Sequence, residues 1–503
     1  MTAAPSPSRL ADVAGGLAVA ALLLAVHSKS MMVDVDVFHE MALYRAALRD
    51  GAVPTEDQFA YTPTVSPCVH HEWGTGLVLY HATASFGAAG LVALRYALTV
   101  ALCLLLLTVL RRQGVGGPLL VLAALLAVPL GSIGFSTVRA QVFSLVALAA
   151  LLVAIDADRR GRRGWVWWWL PLYVAWVNLH AGFVVGLGLF GCHWLERAVR
   201  RRSPQWHLIG VLAAMVALVA VNPYGPAYYG YLWHALRMER PLITEWRPLW
   251  SDPEPQAVAL YLLSLGLLGY AAATRGWRDL AGMPLVLLSA WAAARHVRHL
   301  SLYAVVWLSH VPGYLRGTPL AEALDDFWRR RARLVAGLLG AAAALCVVQA
   351  LARKPWQLYM PTGEADARAG LPVYPTGPVH YLREQRFRGN VLTPFTVGAY
   401  VSWHLAPEVR VGLDSRYEVA YQPGVLEEVE AFYDGGSGWR AFLERYPTDV
   451  VLVRRAVPVA ALLADAGGWR RVYRDDVYEL FARPGLLLPA VDRTSRPLVA
   501  AFP

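Results

Sequence analysis

VRAQVFSLVALAALLVAIDADRRGRR, residues 138–163, decides what kind of protein this is. Its first 18 residues are apolar apart from Arg139, Gln141 and Ser144, enough to cross a bilayer's hydrocarbon core as a helix. Arg159, Arg160, Arg162 and Arg163 then close the run. An apolar run that ends in clustered arginines reads as a membrane span entering a cytoplasmic loop. Working outward, similar stretches fall at 10–26, 88–110, 117–133, 165–179, 181–196, 207–221, 256–274, 280–294, 298–315 and 334–352, about eleven spans in all. Composition agrees: 56% of the 503 residues are apolar and 16% charged, with a mean hydropathy of +0.39. Soluble domains carry about 25% charged residues, so a disordered chain and an ordinary soluble enzyme are both excluded.

The net charge of +10 is uneven, with 28 basic against 19 acidic residues in 1–352 and 18 against 17 in 353–503. The excess therefore belongs to the membrane part and points to membrane lipids, not to nucleic acid. Four scattered cysteines, with no CxxC pair, suggest neither a disulfide framework nor a zinc site. Stretch 10–26 follows one basic residue, Arg9, and lacks a small-x-small cleavage site, so it reads as an uncleaved first span. Placing the N-terminus in the cytoplasm puts 18 of the 28 basic residues on that side, including Arg111/Arg112, the 159–163, 197–202 and 316–333 clusters, and Arg275/Arg278. An odd number of spans then leaves 353–503 outside. The expected organisation is a transmembrane domain over 1–352, with a first outer loop at about 31–75, and a small extracytoplasmic α/β domain over 353–503.

Within the first loop, residues 36–48 have a helical apolar face (Phe38, Met41, Ala42, Tyr44) and are expected to lie along the membrane surface. A second outer loop, about 222–255, is rich in aromatics. The tail shows strand-like runs at 390–393, 409–413, 449–453 and 472–480, between helical runs at 376–386, 396–405, 426–444 and 457–465. It has no GxGxxG or Walker loop, so nucleotide binding has no support.

The residues able to carry chemistry gather at outer span ends. Asp34-Val-Asp36 follows the first span. An acid there can act as a general base on a hydroxyl, or pair with its neighbour to hold a divalent cation. Equally, either aspartate can cap the helix that follows. His39, Glu40, Asp57, His70, His71, Glu72 and Trp73 make the same loop dense in polar groups; its three histidines and several acids could make a metal site, yet their spacing matches no zinc pattern, so substrate contact or a solvated loop is the preferred reading. Arg139 with Gln141, the Asn178-Leu-His180 turn and Arg295-His-Val-Arg298 are further ionisable or polar groups at membrane depth. Arginines there suit the phosphate of a lipid, bound by paired N–H donors while the tail stays in the bilayer. The alternative is snorkelling to headgroups.

Asp36-Val-Phe-His39, Gly51-x-Val-Pro-x-x-Asp57-x-Phe-x-Tyr-Thr62, His71-Glu-Trp73, Arg139-Ala-Gln141, Trp176-Val-Asn-Leu-His-Ala-Gly182, Asn222-Pro-Tyr-Gly225, Glu245-Trp246, Gly398-Ala-Tyr-Val-x-Trp403 and Leu413-Asp-Ser-Arg416 occur in this order along nearly the whole chain. Together they resemble a large set of bacterial integral membrane proteins similar in layout to GT-C-type glycosyltransferases. The resemblance implies a mainly α, GT-C-like polytopic helical bundle with a small C-terminal α/β domain. It also implies a polyprenyl-phosphate sugar donor, extracytoplasmic chemistry and a catalytic acid in the first outer loop. By position that acid is Asp36, with Asp34 as partner. Val37-Phe38 departs from the aromatic pair expected before the histidine. Asp414-Ser-Arg416 matches a signature to which the resemblance assigns no role, and a buried Asp/Arg pair holding a strand end is the reading preferred for it.

The function expected is an inverting membrane glycosyltransferase that moves sugar to an acceptor hydroxyl at the cell envelope. Asp36 and Asp34 would be the catalytic acids, with a divalent cation possible between them. His39, His71, Glu72, Arg139, Gln141, Asn178, His180, Arg295 and Arg298 would line the substrate. The runner-up is a non-catalytic lipid-linked glycan binder or transporter on the same scaffold. A transporter should show internal repeats, and none is visible in the sequence.

Overall fold

The computed structural model describes residues 7–135, 138–238, 240, 243–251, 254–496, 498 and 502. Ser136 and Thr137, just ahead of Arg139, and parts of the second long loop lie outside the described residues. Helices α1 (Pro7–His27), α2 (Val35–Asp50), α3 (Trp73–Arg112), α4 (Gly117–Phe135), α5 (Ala140–Arg159), α6 (Trp165–Leu179) and α7 (Phe183–Arg201) come first. Then follow α8 (Trp206–Leu218), α9 (Ala227–Ala235), α10 (Pro255–Arg275), α11 (Met283–Arg295), α12 (Leu300–Leu315), α13 (Pro319–Arg330) and α14 (Ala332–Ala352).

All eleven apolar stretches are largely helical, and the chain is a multi-pass membrane protein. Eleven full-length spans are not confirmed. Among the described residues six helices (α1, α3, α4, α5, α10, α14) are long and apolar enough to cross a bilayer by themselves. The apolar helices α8 and α11 have 13 residues each, about 20 Å at 1.5 Å per residue against a hydrocarbon core of about 30 Å.

The chain divides into two compact units, Met1–Met31 with Val92–Gln357, and Met32–Leu91 with Leu358–Pro503. The cut differs from the expected one at 352/353, because the first loop folds with the tail. In the helical unit α12 is central, nearly all its residues buried, and it packs on α4, α11, α10 and α5. α1 packs on α14 and α4. α14 leaves Leu334, Leu338, Leu345 and Val348 exposed, as a lipid-facing helix does.

The second unit is built on a sheet. Its tail elements are α15 (Glu364–Arg368), α16 (Thr376–Glu384), β1 (Gly389–Leu392), α17 (Gly398–Leu405), β2 (Val409–Val411), α18 (Tyr417–Ala420), α19 (Val425–Tyr433), α20 (Trp439–Arg445), β3 (Val450–Arg454), α21 (Pro458–Asp465), β4 (Arg470–Arg474), β5 (Tyr478–Ala482) and β6 (Val491–Asp492). Strand order is β2-β1-β3-β5-β4-β6, parallel on both sides of β1, antiparallel around β5, and parallel again between β4 and β6. The run 472–480, read as one strand, falls across a hairpin whose turn Asp475 closes by accepting from the Val477 and Tyr478 amides (2.8 and 2.7 Å). The run 426–444 is two helices parted near Gly435, whose φ of 68° a helix cannot hold.

The first loop covers the β2 edge. Ala60 bridges Val411 in parallel, the Tyr61 amide donates to the Val411 carbonyl (3.1 Å), and the Val411 amide donates to the Phe59 carbonyl (2.8 Å). An otherwise open edge is thereby paired. α2 is likewise covered by protein, which corrects the membrane-surface expectation: Phe38, Met41 and Ala42 are buried, and the Phe38 ring meets Tyr374 and Tyr400 at 5.2 and 5.0 Å. Gly76 lets the start of α3 approach α2, since a Cβ there would lie 2.2 Å from the Glu40 carbonyl oxygen.

Candidate active site

Asp34 and Asp36 flank the start of α2 and do different work. Asp34 is the N-cap, and its carboxylate accepts from the Asp36 amide at 3.1 Å, satisfying one of the donors every helix start leaves open. Asp36 lies in the first turn with its side chain 29% exposed, 3.8 Å from His39 Nδ1. The same Nδ1 hydrogen-bonds Ser415 Oγ at 2.9 Å. Burial pushes the His39 imidazole down to about 4, so it is neutral at ordinary pH. Its neighbour Glu40 is 2% exposed, and among the described residues no donor group bonds either carboxylate oxygen; it faces another carboxylate, Glu72. Burial first, and then Glu72, Asp36 and Asp34, push Glu40 well above the usual carboxylate range. His71 Nε2 sits 3.2 Å from Glu72. Among the described residues His39, Glu40 and Glu72 form a group with ligand spacing, one donor atom from each lying within 4.8 Å of the others. This group has the spacing of a cation site. A neutral imidazole and two carboxylates, one of them buried without a donor, fit a divalent metal.

Behind this group Arg416 is buried between Asp414 (Nε to Oδ1 3.0 Å, Nη2 to Oδ2 2.6 Å) and Asp57 (2.5 Å). Burial opposes the Asp57 charge, but Arg416 and the Ala60 amide more than offset it and hold its carboxyl below the ordinary range. The buried Asp/Arg pair expected at the strand end is present, and a first-loop acid completes it.

In the helical unit the loop segment 244–249 lies along the α11–α12 turn, fixed by Val297 N donating to Arg247 O and Leu249 N to Ala294 O (3.1 Å each). Trp246 sits at the centre: Arg298 and Arg240 lie over its ring at 4.5 and 4.4 Å, and His296 Nδ1 bonds its carbonyl at 2.6 Å. Arg139 pairs with Glu245 at 2.7 Å, and the Gln141 amide donates to Arg298 O (3.0 Å) and Ser301 Oγ (3.1 Å). Arg139, Gln141 and Arg298 thus share one cluster, whereas Arg295 is exposed. Asn178 and His180 serve the chain's own turns. Asn178 donates to Val174 O and Val221 O (2.9 and 2.8 Å), and His180 Nδ1 bonds Ser144 Oγ (2.7 Å) and accepts from the Gly182 amide (3.0 Å).

Sequence reasoning named Glu40 only among the polar groups of the first loop and gave no site role to Ser415, Arg240 or Trp246. A signal for Glu40 existed: it stands among Val37, Phe38 and Met41 on the buried side of α2, an acid inside an apolar stripe. Nothing local announces Ser415, which lies 376 residues from its partner.

No family model matches the chain, and no curated protein matches it in sequence. Solved structures do. ArnT from Cupriavidus metallidurans in the apo state superposes over 93% of this chain and 97% of its own, at 13% identity and a TM-score of 0.52. ArnT from the same organism bound to undecaprenyl phosphate superposes over 95% and 98%, at 15% identity and a TM-score of 0.53. The fold is ArnT-like. The mainly helical, GT-C-like architecture with a small C-terminal sheet, expected from the motifs, is therefore present along nearly the whole chain.

Proposed function

We propose that the protein is a GT-C-type membrane glycosyltransferase of the bacterial inner membrane. In this reading its N-terminus is cytoplasmic and its second unit extracytoplasmic, and it transfers sugar from a polyprenyl-phosphate donor to an acceptor hydroxyl. The observation that carries the reading is Asp36, a partly exposed carboxylate beside a neutral histidine in an ArnT-like fold, where one solved ArnT structure holds undecaprenyl phosphate. Asp36 takes the acceptor proton, the oxygen attacks the anomeric carbon, and the carbon–phosphate oxygen bond breaks with inversion. Within the helical unit, Arg298, stacked on Trp246, and Arg240 beside it offer positive charge of the kind that suits a lipid phosphate. A divalent cation, where bound, would be held by His39, Glu40 and Glu72 and would supply charge that offsets two neighbouring carboxylates.

The test is transfer by purified protein from a panel of undecaprenyl-phosphate sugars, with Asp36→Asn alongside. Sugar release that depends on Asp36 supports the reading. Stoichiometric lipid binding with no release from any donor replaces it with that of a glycan-lipid binder or transporter.

A further inference from the structure

Of the tail's contacts with the first loop, one reaches His39 directly, from Ser415. We infer that Ser415 is a positioning residue, set by the tail, that fixes the His39 ring beside Asp36. This rests on the functional reading given to Asp36 and His39.

Three constraints hold the backbone that carries Ser415. On one side Arg416, 3% exposed, is gripped by both oxygens of Asp414 and by Asp57, while its own amide donates to Asp414 Oδ1 at 3.0 Å. Before it, the Leu413 carbonyl accepts from Thr393 Oγ1 at 2.6 Å. Above it α17 presses so closely that a Cβ on Gly398 would lie 1.9 Å from Leu413 O and 2.9 Å from Asp414 Cα. Two neighbouring motifs, Gly398-Ala-Tyr-Val-x-Trp403 and Leu413-Asp-Ser-Arg416, thus form one rigid support. Its product is the half-buried Ser415 hydroxyl, 2.9 Å from His39 Nδ1.

A hydroxyl on Nδ1 sets the ring plane and leaves Nε2 as the nitrogen available to a cation or substrate oxygen, because a neutral imidazole has only two positions to engage. The arrangement matches the outer partner of a ligating histidine, whose loss typically lowers affinity or activity about 10–100-fold. It also gives the tail a task in the chemistry.

The test is a double-mutant cycle in the full chain with Ser415→Ala, His39→Gln and both together, with Ser415→Thr as the conservative variant. Ser415→Ala should lower kcat about 10-fold or more with little change in donor KM, and Ser415→Thr should restore it. In the His39→Gln background, Ser415→Ala should add about two-fold or less, since its effect runs through the missing ring. Carbethoxylation of His39 by diethyl pyrocarbonate, read by peptide mass spectrometry, should speed up several-fold in Ser415→Ala and return in Ser415→Thr. Unchanged His39 labelling in Ser415→Ala overturns the inference whatever the rate does, and so do effects that multiply in the double variant. A wild type that transfers from no donor refutes the functional reading instead, and the labelling then decides the role of Ser415 alone.

Discussion

Arg139 and Arg159 mark the two ends of α5, and the two ends treat arginine differently. At the Arg159 end guanidinium groups tie loops to helix ends: Arg160 donates to Arg112 O, Arg200 to Arg278 O and Leu280 O, Arg275 to Tyr314 O and Arg316 O, and Arg159 pairs with Glu196. Asp158, fully buried there, takes Arg163, His193 (3.1 Å) and His207 (3.0 Å). Several of the accepting carbonyls lie at or just beyond helix C-termini, where a cation is favoured. The loops that charge counting placed on one side of the membrane are therefore bonded to one another. At the Arg139 end the partners are the Trp246 ring and Glu245. Stacking engages the face of a guanidinium and not its in-plane N–H fork, the part that recognises phosphate. A basic residue at a span end thus has two distinct meanings, staple or ligand, and only its partner tells them apart.

The same contrast, in miniature, divides the aspartates of the second unit, and it predicts the largest effect. Asp36→Asn should cut turnover about 10²–10⁴-fold with unfolding unchanged, because a general base is lost. Asp34→Asn should stay within a few-fold of wild type, because asparagine caps a helix as well as aspartate does. Steady-state rates beside thermal unfolding in detergent check both, and the reverse order of effects would make Asp34 the base.

The staple end is sharpened by a stability pair. Asp158→Ala leaves His193 and Arg163 without their buried carboxylate and should cost about 3–5 kcal/mol. Glu245→Ala breaks a partly exposed pair and should cost no more than about 1 kcal/mol. Equal losses in denaturant unfolding would erase the distinction between the ends.

Glu40 gives a pH signature. Its folded-state pKa lies above the ordinary value of 4.5, so stabilisation from its bound proton is complete below that value and is lost as pH rises through the folded one. Chelator-treated protein should therefore lose stability as pH climbs above about 4.5. Glu40→Gln should flatten that decline, and saturating Mn²⁺ should abolish it in the wild type, since a metal binds the ionised form. A decline identical in Glu40→Gln would assign it to another group.

Much of the fold was legible because hydropathy and charge are local properties. Every apolar stretch became largely helical, and the arginine loops grouped as their parity required. Helix length was less legible: the apolar stretch 207–221 is helical only to Leu218, just before a turn in which the Asn222 side chain donates to the Val219 carbonyl and accepts from the Tyr224 amide, bonding that hydropathy does not register. The capping of α2 by Asp34 was foreseen as one of two readings, and it leaves Asp36 as the acid of the pair that the helix start does not use as its cap. The merger of the first loop with the tail was not, because pairing of Ala60 with Val411 spans some 350 residues and leaves no periodic trace. Glu40 was named among the loop's polar groups, but its close packing depends on α3 and the approach at Gly76, and neither is visible from α2 alone.

The smallest expected effect separates ligand from staple most directly. Arg298→Lys keeps the charge but removes both the flat face that lies 4.5 Å over Trp246 and the planar fork. The lost stack is worth about 0.5–1 kcal/mol, so the unfolding temperature should move by only a few degrees. Donor KM should rise several-fold, because an ammonium engages phosphate as a point charge. Arg275→Lys, at the opposite end, is the control. Arg275 serves two carbonyls through a single nitrogen, 3.4 Å from Tyr314 O and 3.2 Å from Arg316 O, a task an ammonium also performs, so donor KM and stability should both hold. If Arg298→Lys costs stability and leaves donor KM untouched, Arg298 is one more staple, and the charge that meets the phosphate must come from Arg240 or Arg139.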